Sequence, residues 1–352
     1  MQVRFLLGPA GSGKTFRCLA EIRAALASAP DGPPLVLLAP KQATFQLERQ
    51  LLGDPAPARP GGNGLAGFTR LRVLSFDRLA EFVFDQLRAA PPKLLSAEGR
   101  LMVLRALLRR HDGELKLLRG SARRIGFAQE LGGQLAELQQ HQFGPTRLRA
   151  LAADETLRRE LRDKLHDLAL MAEKYAEWLR SHGLQDANCL LDAATDTLRA
   201  GLSHGQAPLA IAGLWLDGFA EMTPQEHALL AAVTPFCEQA TLAFCLETEP
   251  TPDTSWLSIW SAIGKTFQRC RQQLAALPGC TVQTETLPRR PGASRFPDNS
   301  ALGALEAGWA LPFGADAERA DLPDQISVTA CATPEAEAPV ANESRRADLA
   351  RV

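Results

Sequence analysis

Apolar residues at the start of the chain fall in short continuous blocks, each followed by a break and then by helical spacing. Gln2 to Leu7 reads as a buried strand, Gly8 to Thr15 as a glycine-rich turn, and Phe16 to Ala27 as a helix. Pro30, Gly32, Pro33 and Pro34 interrupt the pattern before a second block, Leu35 to Leu38, that ends at Pro40. A Pro/Gly-rich loop from Gly53 to Gly67 precedes a third block, Leu71 to Phe76, with a helix beginning near Asp77. The repeated alternation of strand and helix predicts a parallel α/β sheet.

From about Ser96 to Leu202 the chain turns to Leu, Ala, Arg and Glu at helical spacing, and this block is predicted to be mostly helix. Leu157, Leu161, Leu165, Leu168, Met171, Tyr175 and Trp178 form one stripe, read as core between helices. Between Arg100 and Arg149 ten Lys or Arg face four acids, which suits a solvated face first and a DNA-facing surface second. Strand-like runs resume at Leu209 to Leu216 and Thr241 to Leu246, with weaker ones at Thr281 to Leu287 and Ile326 to Cys331. The economical arrangement is a helical subdomain inserted between strands of one sheet, since the first three strands alone would leave an edge and a face uncovered. The boundaries expected are residues 1–95 for the first part of the sheet domain, 96–205 for the insertion, 206–290 for the remainder, and 291–352 for a linker and the start of a truncated second domain. Pro339 sits where a helix should follow the last strand, and the tail to Val352 has no apolar period.

Charge and cysteine content narrow the partners. The 352 residues carry 39 Lys plus Arg against 40 Asp plus Glu, a net charge of −1, so a nucleic acid must be held by a local patch or a groove and not by bulk charge. With 45% hydrophobic and 22% charged residues the chain is an ordinary core-forming one. Seven cysteines, odd in number and without a Cys-x-x-Cys pair, fit burial in a reduced, cytoplasmic protein. No apolar run approaches the roughly 20 residues that span a bilayer, and no membrane association is expected.

The candidate chemistry lies in Gly8-Pro9-Ala10-Gly11-Ser12-Gly13-Lys14-Thr15, a full match to G-x-x-x-x-G-K-[ST] between a strand and a helix. Gly8, Gly11 and Gly13 let the backbone turn its N–H groups, with that of Ser12, around phosphate oxygens at a helix N-terminus. Lys14 would meet the β- and γ-phosphates of ATP, and the Thr15 hydroxyl would ligate Mg2+. A second Gly-Lys-Thr, Gly264 to Thr266, has Ile259 where the first glycine should be and reads as a coincidence on a helix. Leu214-Trp215-Leu216-Asp217 offers the strand-end acid that orders magnesium. The next residue is Gly218, where hydrolytic helicases carry a glutamate, so binding is expected more than turnover unless Glu221 or Glu226 supplies the base.

Four segments occur in order: the loop at Gly8 to Thr15, Ala39-Pro40-Lys41-Gln42-Ala43-Thr44-Phe45, Val73-Leu74-Ser75-Phe76-Asp77-Arg78-Leu79, and Leu216-Asp217-Gly218-Phe219 with Thr223-Pro224-Gln225-Glu226. Together they resemble the N-terminal region of the AddB subunit of bacterial AddAB helicase–nucleases, over most of residues 1 to about 335. The resemblance implies a P-loop, RecA-like sheet related to superfamily 1 and UvrD, with a helical subdomain inserted in the first motor domain. It implies ATP and Mg2+ at Gly13, Lys14, Thr15 and Asp217, single-stranded DNA along Gln42, Thr44, Ser75 and Phe76, and an AddA-type partner in double-strand-break processing. It also implies, in the full-length family, a nuclease domain whose carboxylates bind metal and whose cysteines hold an iron–sulfur cluster; the seven cysteines of this chain lack the clustered spacing such a cluster needs and are read as buried. A lone first motor domain cannot translocate, so the chain is expected to be neither motor nor nuclease alone. Two rival readings are a self-contained P-loop ATPase or small-molecule kinase, with Arg109, Arg110, Arg123 and Arg124 as a lid, and a scaffold that does not bind nucleotide.

Overall fold

The computed structural model describes residues 1–52, 67–203, 209–251, 255, 257–288, 301–308, 330–333 and 336. Met1–Arg289 forms one compact unit and Arg290–Val352 a second, in which the described helix is Ala301–Gly308. The strand expected over Ile326 to Cys331 and the position of Pro339 lie outside the described residues, apart from Ala330 and Cys331.

The sheet is α/β and parallel throughout. Its strands are β1 (Gln2–Leu7), β2 (Leu35–Leu38), β3 (Leu71–Leu74), β6 (Gly213–Leu216), β7 (Gln239–Phe244) and β8 (Thr281–Thr286), in the order β3-β2-β6-β7-β1-β8. Residues before and after the helical block are therefore interleaved: β1 pairs with β7 and β8, and β2 pairs with β3 and β6. The continuous apolar runs follow from burial on both faces. Val3, Phe5 and Leu7 join Val36, Leu38, Leu214, Leu216, Leu242 and Phe244 in one core, while Leu6, Leu35, Leu37, Trp215 and Ala243 enter the core on the opposite face. The first core is covered by α3 (Phe76–Leu87), α8 (Leu190–Ser203), α9 (Pro224–Val233) and α10 (Ser261–Ala275), and the second by α1 (Lys14–Ser28) and α2 (Thr44–Leu52).

The intervening block has its own core. Val103, Leu104, Leu107 and Leu108 of α4 (Ala97–Arg110) meet Ala128, Leu131 and Leu135 of α5 (Phe127–Gln140), Leu148 of α6 (Pro145–Ala152), and Leu168, Met171, Tyr175 and Leu179 of α7 (Arg159–Ser181). A short parallel pair, β4 (Leu94–Leu95) with β5 (Gln185–Asp186), closes its ends. The stripe expected from Leu157 is shorter than its spacing suggests: α7 begins at Arg159, Leu161 is 44% exposed, and the buried residues start at Asp167. Asp167 is fully buried, its carboxylate accepting from the backbone N–H groups of Lys116, Leu117 and Leu118 at the start of the one-turn helix Leu118–Gly120, where those donors have no helix carbonyl. Among the described residues no helix is long and apolar enough to cross a membrane.

Several boundaries differ from the apolar pattern. The first helix begins at Lys14, within the glycine-rich turn. The third strand stops at Leu74, because Ser75 caps α3 by accepting from the N–H of Arg78 and Phe76 already belongs to the helix. Of the run Leu209 to Leu216 only Gly213–Leu216 is strand, with Ile211 held by an isolated bridge to Cys237. Gly264 to Thr266 lies inside α10, where the Thr266 hydroxyl donates to the Ala262 carbonyl. Cys18, Cys237 and Cys270 are buried, whereas Cys189, Cys245, Cys280 and Cys331 are only partly so.

Candidate nucleotide site and strand-end cleft

The β1–α1 turn and the end of β6 meet one strand apart, with β7 between them. Gly13 takes φ 90, a left-handed value that glycine alone adopts without penalty, and stands as the N-cap of α1 with no side chain bonding to the helix amides. A Cβ there would touch nothing within 4 Å, so the space beside Gly13 is open. Lys14 is 9% exposed, and its ammonium donates to the carbonyls of Gly8 and Pro9, each at 2.7 Å, and to the Ser12 hydroxyl at 3.5 Å. The lysine is thus folded into its own loop. Thr15 Oγ1 donates to Asp217 Oδ2 at 2.5 Å, joining two residues 202 positions apart. Asp217 is itself fixed by its N–H to the Leu38 carbonyl at 3.0 Å, which continues the β6–β2 ladder past the strand end.

A network beneath this pair is not legible in the motifs. Glu21, two turns into α1, receives the Arg4 guanidinium at 2.6 Å, Arg17 Nε at 3.0 Å and the Trp215 indole N–H at 3.1 Å. Arg4 also donates to Thr241 Oγ1, and Glu285 of β8 adds a second acid to Arg4 and Arg17. Burial alone would raise the Glu21 carboxyl, but the hydrogen bonds from Trp215, Arg4 and Arg17 hold it below the usual range. The indole is the physical link: Trp215 stands two residues before Asp217, so Glu21 fastens α1 to β6 close to the Thr15–Asp217 contact. The signals in the sequence are the Arg17–Glu21 spacing of four and the need of a buried indole for an acceptor. Cys18 between them is pushed up to about 12, first by burial and then by Asp217 and Glu21, which leaves it an unreactive thiol.

The other expected residues collect at the C-terminal ends of β2, β3 and β6. Gln42, Ser75 and Phe76 line one cleft of about 420 Å³ with Lys41, Gly218 and Phe219. Thr44 is not brought into it; its hydroxyl donates to the Lys41 carbonyl at the start of α2. Phe76 is 3% exposed and packs edge-on against Phe219 with ring centroids 5.3 Å apart, so Phe219 presents the more accessible ring. The cleft carries Lys41 against Asp77, Glu221 and Glu226. Glu226 is committed to a capping box, accepting from the Thr223 N–H at 2.7 Å while Thr223 Oγ1 accepts from the Glu226 N–H. Burial raises its carboxyl, the hydrogen bonds with Thr223 oppose this, and the charge of Asp77 adds to the rise. Gly218 takes φ 86 and a Cβ there would lie 3.2 Å from Pro40 Cδ, so the position after Asp217 is shaped for glycine.

Arg109, Arg123 and Arg124 line a separate groove in the helical block that includes neither Arg110 nor any residue of the Gly8–Thr15 loop. Among the described residues no group of three or more His, Cys, Asp or Glu is placed to hold a metal ion.

Comparison with known proteins accounts for nearly the whole chain. The family described as "ADDB, N-terminal" matches residues 5–306. The chain is 36% identical over 332 residues to the B subunit of the ATP-dependent helicase/deoxyribonuclease of Moorella thermoacetica, covering 90% of this chain and 27% of that protein. It is 39% identical over 251 residues to the protein of the same name from Heliobacterium modesticaldum, covering 70% of this chain and 19% of the relative. The Natranaerobius thermophilus protein of that name is 30% identical over 318 residues, covering 88% of this chain and 26% of the relative. The chain thus spans about a quarter of the length of the Moorella and Natranaerobius relatives.

Proposed function

This chain belongs to the AddB N-terminal family, and on that premise we propose that it is the helicase-like N-terminal part of an AddB-type helicase–nuclease, using the β1–α1 loop to bind ATP and Mg2+ and acting on DNA beside an AddA-type partner. The observation that carries the reading is the 2.5 Å contact between Thr15 and Asp217. It puts a hydroxyl and a carboxylate, the hard oxygen donors that magnesium prefers, together beside a helix N-terminus that no side chain caps. Magnesium, when bound, would neutralise phosphate charge. Gly11, Ser12 and Gly13 would offer backbone N–H groups to the phosphates. Lys14 would exchange the carbonyls of Gly8 and Pro9 for phosphate oxygens, and Thr15 and Asp217 would hold the cation directly or through water.

Turnover is proposed to be near background in the isolated chain. The residue after Asp217 is a glycine at φ 86 where an added Cβ would crowd Pro40, Glu226 is held in its cap, and Glu221 is exposed with no described hydrogen bond to position it. Without a positioned base the roughly 10²–10⁴-fold that general-base catalysis supplies is missing. For DNA, the strand-end cleft supports contact with bases through Phe219 and Gln42 better than contact with phosphates, given its acidic lining.

The test is binding of a fluorescent ATP analogue to the purified chain with and without Mg2+. Saturable, magnesium-enhanced binding that Lys14→Ala abolishes supports the nucleotide reading. Binding that is absent, or unchanged in Lys14→Ala, rejects it and leaves the scaffold reading.

A further inference from the structure

The helical block contains a groove of about 580 Å³ between α4 and the first turn of α5. Its lining includes Arg105, Arg109, Arg123 and Arg124, the amide of Gln129 and the side chain of Ile125, and no carboxylate. Arg105 and Arg109 stand four residues apart on α4, a spacing at which like charges destabilise a helix. The exposed side chains of Arg105, Arg109 and Arg124 make no hydrogen bond or ion pair with any described residue. Arg123, 81% exposed, touches Asp112 at 2.9 Å. Ile125 at the rim is fully exposed.

Concentrating guanidinium groups in one concavity costs electrostatic energy that an anion would recover. Arginine forks suit phosphate oxygens in particular. With a net charge of −1 the chain has no general attraction for nucleic acid, and the strand-end cleft sets three acids against Lys41. The basic groove supplies what that cleft lacks.

We infer that this groove binds the sugar–phosphate backbone of DNA, as a contact separate from the strand-end cleft. The inference rests on the proposal that the chain acts on DNA. The arginines neutralise phosphates, and Ile125 offers an apolar contact to a sugar face. Each phosphate neutralised adds about 0.9 to the slope of log affinity against log salt for a duplex and about 0.7 for a single strand.

The experiment is fluorescence anisotropy of a labelled oligothymidylate and of a labelled duplex with the full chain, across a salt series. The triple variant Arg105→Ala/Arg109→Ala/Arg124→Ala changes only exposed side chains, and its melting temperature and ATP-analogue binding report that the fold is kept. The expected result is at least about tenfold weaker binding at low salt, with the slope reduced by about two to three on a duplex or about two on a single strand. The oligonucleotide whose slope changes identifies the form that occupies the groove. Unchanged affinity and slope in the triple variant, with binding weakened by Gln42→Ala/Phe219→Ala, would overturn the groove while leaving the parent proposal standing. No binding of either oligonucleotide by the wild-type chain would overturn both. Displacement of the DNA by polyglutamate at equal charge concentration would overturn the assignment to nucleic acid.

Discussion

Thr15 Oγ1 lies 2.5 Å from Asp217 Oδ2, so the last residue of the glycine-rich loop and the residue after β6 form one unit although 202 positions separate them. The hydroxyl donates a hydrogen bond to Asp217 Oδ2, which leaves the Thr15 Oγ1 lone pairs and the second carboxylate oxygen as donors for a cation. Removing the charge while keeping an acceptor separates cation binding from architecture. Asp217→Asn is expected to change unfolding free energy by less than about 1 kcal/mol, the scale of one hydrogen bond. It should also lower the magnesium-dependent part of ATP-analogue affinity about tenfold. A titration of analogue binding against Mg2+ checks this.

Glu21 acts on the same pair from below. Glu21→Ala would leave the Trp215 N–H and Arg4 without their principal acceptor in a half-buried setting, at a cost of about 1–3 kcal/mol. Because Trp215 precedes Asp217 by two residues, loosened packing of α1 on β6 should weaken magnesium-dependent nucleotide binding beyond the effect on stability. Glu21→Gln, which can still accept from the indole, should restore much of that binding. Denaturant unfolding together with nucleotide titration separates the two effects.

Placing a glutamate after Asp217, Gly218→Glu, is expected not to create an ATPase. The backbone at φ 86 costs an L-residue about 1–2 kcal/mol, and the new Cβ would press on Pro40. The measurement is phosphate release together with the melting temperature. A folded variant with vigorous hydrolysis would contradict this account of the glycine.

His227 sits on α9 against Cys270 of α10, 3.4 Å from its sulfur, and is 2% exposed. Burial, with the charge of Arg269 adding, pushes its imidazole down to about 4 from 6.5. The folded state therefore prefers the neutral ring. The unfolded chain takes up a proton first as pH falls through 6.5, so stability from this residue is complete above 6.5 and drains away toward pH 4. The full span corresponds to about 3 kcal/mol. The carboxyl of Glu226, raised by burial, works in the opposite direction, since its protonation favours the folded state. Unfolding midpoints measured from pH 7 to 4 should fall in the wild type and fall less steeply in His227→Gln.

Much of the sheet is legible in the sequence because a strand buried on both faces must be apolar along its length, and the runs at Gln2 to Leu7, Leu35 to Leu38 and Thr241 to Leu246 locate β1, β2 and β7 to within two residues. The ends are less legible. Ser75 and Gly13 set them by capping, and a cap depends on which amides remain unpaired more than on hydrophobicity. The helix α2 escapes the apolar pattern because its buried face is only Leu47 and Leu51. The stripe on α7 looks longer in the sequence than it is because Leu157 precedes the helix, Leu161 is largely exposed in its first turn, and full burial starts only at Asp167.

By itself the sequence determined the local chemistry: the eight residues from Gly8 to Thr15, an acid at the end of an apolar strand, and a glycine where a glutamate would be needed. Each is a property of neighbours in the chain, where spacing fixes geometry. Only the tertiary structure decided that Thr15 meets Asp217, that Glu21 and Trp215 hold them in register, and that Arg105, Arg109, Arg123 and Arg124 share one groove. Those relationships come from interleaving β6 and β7 between β2 and β1 and from packing α4 against α5. Such long-range pairings depend on which faces bury together, and spacing along the chain does not encode that choice.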